Sequence, residues 1–166
     1  MGAGILPIAI HDEKIYFLFS REYERTAKNK FMEEWRDFGG TTEKGETYME
    51  TAIREGWEES MGFLGNKKTV ENLIKNKLVT TVYENKYKLY VVLVDYDKDL
   101  PKKFHQHFQN MLKKDKTKIS KNGFYEKDKL RWIRLKRLRY NYHLFPKWYV
   151  KIVKSLEKRL NILYKK

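Results

Sequence analysis

A chain of 166 residues, 41% hydrophobic and 15% aromatic, can bury one real core, which excludes a disordered polymer and leaves little room for two domains. The absence of cysteine excludes disulfides, thiolate metal sites and cysteine nucleophiles together. A formal net charge of +14 suits either a polyanionic partner such as RNA or a lysine-solvated exterior, and composition alone weighs the two equally.

No apolar run approaches the roughly 18 residues of a membrane span. The N-terminal MGAGILPIAIHDEK is too short in its apolar part, and too poor in basic residues, for a signal peptide. These features predict a soluble, cytoplasmic protein with no membrane contact, organised as a single domain over 1–166.

In chain order, Gly4 to Ser20 reads as two strands around a turn at His11-Asp12-Glu13. Arg21 to Lys30 reads as a polar loop, and FMEEWRDFGG as a short strand ending at Gly39-Gly40. Thr47 to Met61 has the pattern of a helix, with Gly62 placed to stop it. Asn66 to Lys77 is ambiguous, polar and partly helical. Leu78 to Tyr83 and Tyr87 to Tyr96 form a hairpin pattern rich in Val, Tyr and Thr. Phe104 to Leu112 reads as a short helix, Lys113 to Gly123 as a basic loop, and LRWI from Leu130 as a strand. From Tyr142 onward the pattern is helical, with Trp148, Ile152, Leu156, Leu160 and Leu163 along one core-facing stripe. Strands, helix, strands, helix suit an α/β sandwich.

The helix at Thr47–Ser60 carries the chemistry. At about 100° per residue, Glu55, Glu58 and Glu59 share an arc of about 100°. Met49, Ile53, Gly56 and Trp57 lie opposite and are expected to face the core. Like charges at this spacing repel by a few tenths of a kcal/mol per pair. A divalent cation with a preference for oxygen, such as Mg²⁺, offsets that cost and keeps waters that phosphates can replace. Gly39, Gly40 and Gly45 precede the helix and let the backbone approach a ligand closely. An acidic solvated helix face is the alternative; the glycine turn and Arg54 weigh against it.

The stretch resembles the Nudix box of MutT-like hydrolases: Gly, five residues, Glu, seven residues, Arg-Glu, an aliphatic residue, any residue, Glu-Glu, any residue, Gly, aliphatic. Gly40, Glu46, Arg54-Glu55 and Glu58-Glu59 fill every charged position at that spacing. The box covers about a seventh of the chain. Two departures stand out. Gly56 replaces the aliphatic residue, which points to close packing there. Ser60-Met61 places two residues before Gly62, as though one were inserted at the helix exit.

The resemblance implies an α/β/α sandwich with a mixed central sheet and a Mg²⁺- or Mn²⁺-dependent pyrophosphohydrolase. Its substrate would be a nucleoside diphosphate linked to another group: a nucleoside triphosphate, a related nucleotide, or a capped or 5′-phosphorylated RNA end. It implies that Glu55, Glu58 and Glu59 bind the metals with help from a carbonyl of the glycine turn, Gly39. Arg54 would pair with Glu46 or with one of the metal ligands and fix its rotamer. Glu46 and Gly40 would support the phosphate site. The general base would be Glu55, or Glu126 outside the box with Asp128 as rival, unless both of these are ordinary solvated acids. Neutralising Glu58 or Glu59 should then abolish turnover with the fold intact. The alternative class is a non-catalytic Nudix-fold module that binds RNA or a protein.

Other residues stay open between two readings. Lys113 and Lys114, with the rest of the basic loop and Lys129 to Arg139, are candidates for phosphate contacts or plain solvated surface. His105, His107 and His143 would touch substrate or do little. Tyr83, Tyr87 and Tyr90 would stack on a base or pack in the sheet.

Overall fold

A computed structural model of the chain describes residues 1–23, 34–114 and 124–164. Two-residue turns set the register of both hairpins. β1 (Gly2–His11) and β2 (Lys14–Glu22) meet at Asp12-Glu13, both left-handed at φ 46° and 57°, so that His11 pairs with Lys14. β5 (Leu78–Glu84) and β6 (Tyr87–Leu93) meet in the same way at Asn85-Lys86, with φ 52° and 62°. Left-handed residue pairs of this kind match the twist of the flanking strands.

The remaining strands are β3 (Trp35–Arg36), β4 (Phe38–Thr41) and β7 (Lys127–Arg134). Among the described residues, seven strands form one sheet with β1 at its centre. Gly2–Ile8 of β1 run parallel to β6 along one edge. On the other edge, Gly2–Ile5 pair antiparallel with β4, and Ile8–His11 with β2. The sheet is therefore mixed, as expected. The expected single strand before Gly39-Gly40 is broken at Asp37 into β3 and β4, and its residues 31–33 lie outside the described part.

Alternation along the strands sends side chains to two cores. Leu6, Ile8, Phe17, Phe19, Leu89 and Val91 face α4 (Lys147–Leu163) and the 3-10 segment Leu135–Leu144. Ala3, Ile5, Leu18, Tyr90 and Val92 face the other layer, which holds α1 (Tyr48–Glu59), α2 (Lys67–Asn76) and α3 (Leu100–Lys114). Burial on both faces is what makes β1 almost continuously apolar.

Several sequence expectations change. The ambiguous stretch after Gly65 is a full helix, capped by the Asn66 side chain on the Thr69 amide at 2.9 Å. The short helix at Phe104 starts earlier and runs through Lys114, so Lys113 and Lys114 are exposed helix residues rather than loop; residues 115–123 lie outside the described part. The C-terminal stripe is rotated. Tyr149, Ile152, Val153, Leu156 and Leu160 are buried, whereas Trp148 and Leu163 are exposed. Among the described residues, no helix is long and apolar enough to cross a membrane.

Candidate active site

The site is built on the first helix. Thr47 caps it: its hydroxyl accepts from the Glu50 amide at 3.2 Å, and the Glu50 carboxylate accepts from the Thr47 amide at 2.7 Å. This reciprocal pair satisfies two otherwise orphaned donors.

At the far end the Met61 amide donates to the Glu58 carbonyl and the Gly62 amide to the Trp57 carbonyl, at 3.0 and 3.1 Å. This pair of bonds closes the helix on left-handed backbone, with Met61 at φ 51° followed by Gly62 at φ 76°. Met61 thus adopts a backbone usually left to glycine.

The buried face of α1 is Thr51, Ala52, Glu55, Gly56 and Glu59. This corrects the expected division into an apolar face and an acidic one, because two of the three acids lie on the packed side, while Met49, Ile53 and Trp57 are only partly buried. Gly56 explains how. A Cβ there would meet Ile5 Cγ2 at 2.7 Å and Val70 Cγ1 at 3.1 Å. The bare backbone lets the helix sit close on β1 and brings Glu55 and Glu59 over the glycine turn. Gly40 is the matching cradle, since a Cβ there would lie 2.4 Å from Glu55 Oε1.

Arg54 gathers the remaining acids. Its Nε and Nη2 donate to Glu46 at 2.7 and 3.0 Å, Nη1 to Glu55 at 2.7 Å and to Glu58 at 3.4 Å, and Nη2 to the Thr41 carbonyl at 3.1 Å. Its hydrogen bonds hold the Glu46 carboxyl down at about 2. Burial pushes Glu55 and Glu58 above the usual carboxylate range, against the pull of Arg54. Glu126 is near enough for its charge to raise Glu55 further. The structure thus brings Arg54, Glu46, Glu55, Glu58, Gly40 and Glu126 together.

Glu59 stands apart. It is 1% exposed; its Oε2 accepts the Gly39 amide at 2.7 Å, and its Oε1 lies 3.4 Å from Lys127 Nζ. Burial pushes its carboxyl up to about 8, opposed by Lys127 and Arg36. Lys127 is fully buried and also binds Glu22, which in turn takes the Arg36 Nε at 2.7 Å. Asp128 is committed to Arg21, whose Nε donates to it at 2.9 Å.

Lys113 and Lys114 lie at the C-terminal end of α3 and are exposed. His105 Nδ1 sits 2.9 Å from the Asp128 carbonyl, His107 lies against Phe63 and Tyr125, and His143 is exposed. Tyr87 and Tyr90 are buried in the sheet, while Tyr83 is exposed beside Tyr48.

Sequence reasoning missed Glu22, Arg36 and Lys127. Each is a charged residue at the end of a strand, where a surface position is the ordinary expectation. It also missed Asp37, fully buried in the gap between β3 and β4, whose Oδ2 accepts from Tyr87 at 2.7 Å and whose Oδ1 has no partner.

Among the described residues, no three His, Asp or Glu side chains are arranged to hold a metal ion, since Arg54 and Lys127 engage the carboxylates. The donor set still fits a hard cation. It offers carboxylate oxygens against a glycine cradle, with one guanidinium facing the three carboxylates of Glu46, Glu55 and Glu58.

This sandwich, with a glycine turn and a capped acidic helix on its central strand, has the fold of the Nudix hydrolases. The chain is similar to the binary complex of Ap4A hydrolase from C. elegans, at TM-score 0.54 and 15% identity over 96% of each chain. It is also similar to the same enzyme in a second crystal structure, at TM-score 0.51 and 18% identity over 98% of this chain and 96% of that one. A third likeness is to the Nudix domain of Shewanella oneidensis NrtR complexed with ADP ribose, at TM-score 0.52 and 13% identity over 96% and 86%. No protein-family profile and no curated protein sequence matches the chain.

Proposed function

We propose that the protein is a Mg²⁺- or Mn²⁺-dependent pyrophosphohydrolase that cleaves the diphosphate linkage between a nucleotide and a second group. The observation that carries this reading is the Arg54 hub. One cation holds Glu46, Glu55 and Glu58 around a glycine turn and leaves a deficit of positive charge there. A divalent ion at Glu55 and Glu58, with Glu59 and the Gly39 carbonyl as further candidates, would supply charge neutralisation and an acidified water.

The chain's own residues do the rest. Arg54 fixes the carboxylate rotamers through the fork of its guanidinium. Glu126, whose charge acts on Glu55, would take a proton from water, and Glu55 itself is the rival within the box. Asp128 drops behind both because it is paired with Arg21.

The fold's relatives include an Ap4A hydrolase and a domain complexed with ADP ribose, both concerned with nucleoside phosphates. A net charge of +14 suits a capped or 5′-phosphorylated RNA end, whereas the short chain suits a free nucleotide. The test is product release with Mg²⁺ and Mn²⁺ from nucleoside triphosphates, nucleotide sugars, dinucleoside polyphosphates, and capped and triphosphorylated RNA. Hydrolysis of any one at its phosphoric anhydride supports the reading. RNA affinity with no turnover of any of them identifies a non-catalytic binding module instead.

A further inference from the structure

A lysine ammonium buried to 0% exposure costs several kcal/mol unless anions meet it. Lys127 meets two: Glu22 Oε1 at 2.5 Å and Glu59 Oε1 at 3.4 Å. Glu22 is held in turn by Arg36, and the second oxygen of Glu59 by the Gly39 amide. Arg36, Glu22, Lys127 and Glu59 thus alternate basic and acidic groups in a chain running from β3 through the ends of β2 and β7 to the last turn of α1. The acids around Arg54 are different, because three carboxylates share that one guanidinium, with Lys67 and Glu43 acting on Glu58 in opposite senses. The demand for added positive charge lies at Glu55 and Glu58. At Glu59 it is already met.

We propose that Lys127 is a built-in cation that occupies the place of a divalent ion between Glu22 and Glu59, so that Glu59 positions the glycine turn while metal binds at Glu55 and Glu58. This rests on the metal-dependent reading above and narrows its ligand set. Lys127 is a positioning residue: it keeps Glu59 on the Gly39 amide and keeps a second ion out. Removing the ammonium leaves the buried Glu59 and the partly buried Glu22 carboxylates facing a vacated cation position, which a divalent ion would then fill.

Electron paramagnetic resonance titration with Mn²⁺ reads the number of ions bound per chain without any turnover. Lys127→Met is expected to bind one ion more than the wild type. Lys127→Arg, which keeps the charge, is expected to match the wild type, and adding Glu22→Gln to Lys127→Met should return the count to the wild-type value. An unchanged count in Lys127→Met overturns the proposal.

Should that variant not fold, anomalous diffraction from wild-type crystals soaked in Mn²⁺ decides. A peak at Glu55 and Glu58 with Lys127 still between Glu22 and Glu59 supports the proposal, and a peak between Glu22 and Glu59 overturns it. A wild type that binds no Mn²⁺ sinks the metal-dependent reading instead, while a Lys127→Met variant that gains an ion upholds the role given to Lys127.

Discussion

The Gly39 amide donates to the Glu59 carboxylate at 2.7 Å, tying the glycine turn to the last turn of the acidic helix across twenty residues of chain. Glu59 is therefore a structural anchor as well as an acid of the box. The sequence pattern suggested that neutralising it would spare the fold. The buried contacts with Gly39 and Lys127 add a cost in stability to that expectation. Glu59→Gln should lower the unfolding free energy by about 1–3 kcal/mol, as expected for a buried charged group that loses its partner. Urea denaturation checks this.

Glu58 keeps 17% of its side chain exposed and accepts from Arg54 at 3.4 Å, the longest of the Arg54 contacts to the box acids. Glu58→Gln should leave the urea midpoint nearly unchanged while reducing Mg²⁺-dependent turnover by roughly two to three orders of magnitude. Equal turnover in variant and wild type would remove Glu58 from the site.

Arg54 binds four acceptors from a rigid planar fork, an arrangement that a single ammonium cannot copy. Arg54→Lys keeps the charge and should still lose roughly 10–100-fold in activity or Mn²⁺ affinity. Far-UV circular dichroism should show the helix intact, because the Thr47 cap and the Gly56 contact do not involve Arg54.

Gly56→Ala sets two effects against each other. Alanine favours a helix by about 1 kcal/mol over glycine, but the new methyl would press on Ile5 and Val70 at 2.7 and 3.1 Å. Overpacking of this kind costs about 1–3 kcal/mol, so the net change should be destabilising. A thermal melt lowered by a few degrees is the expected result. A raised midpoint would mean that the helix is free to lift off β1.

Asp37 gives stability a pH dependence. Full burial raises its carboxyl above the ordinary value, against the hydrogen bond from Tyr87. A raised folded value favours the protonated form. The Asp37 contribution is therefore complete below the normal carboxyl range of about 4 and is lost as pH rises through the folded value. Asp37→Asn cannot ionise. Its stability should gain on the wild type as pH climbs from 4 to 8, measured as the gap between urea midpoints. A constant gap would show that Asp37 titrates normally.

The box, the helix it sits on, both hairpins and the sandwich were legible in the sequence because each rests on local spacing: two left-handed turn residues, a capping pair, a strand alternation. The misreadings share a different cause. Which face of α1 is buried follows from Gly56 meeting Ile5, fifty-one positions away, and no helical wheel contains that contact. Residue types at Ser60-Met61 do not tell where the helix ends, because the exit depends on backbone angle, and Met61 takes a left-handed one. Lys127, Glu22 and Arg36 are written like surface residues and become core only because three strand ends converge beside Glu59. The substrate's second group leaves no comparable trace in local spacing.

β1 is flanked along its length by three other strands, β6 on one side and β4 then β2 on the other. A segment so close to a chain end is usually the first to fray. Here it is the seam through which both halves of the sheet are sewn, so it can come loose only when everything else does. In deuterium exchange the amides of Ala3 to Leu6 and of Ile8 and Ala9, on either side of Pro7, should be among the slowest in the molecule, opening only with global unfolding.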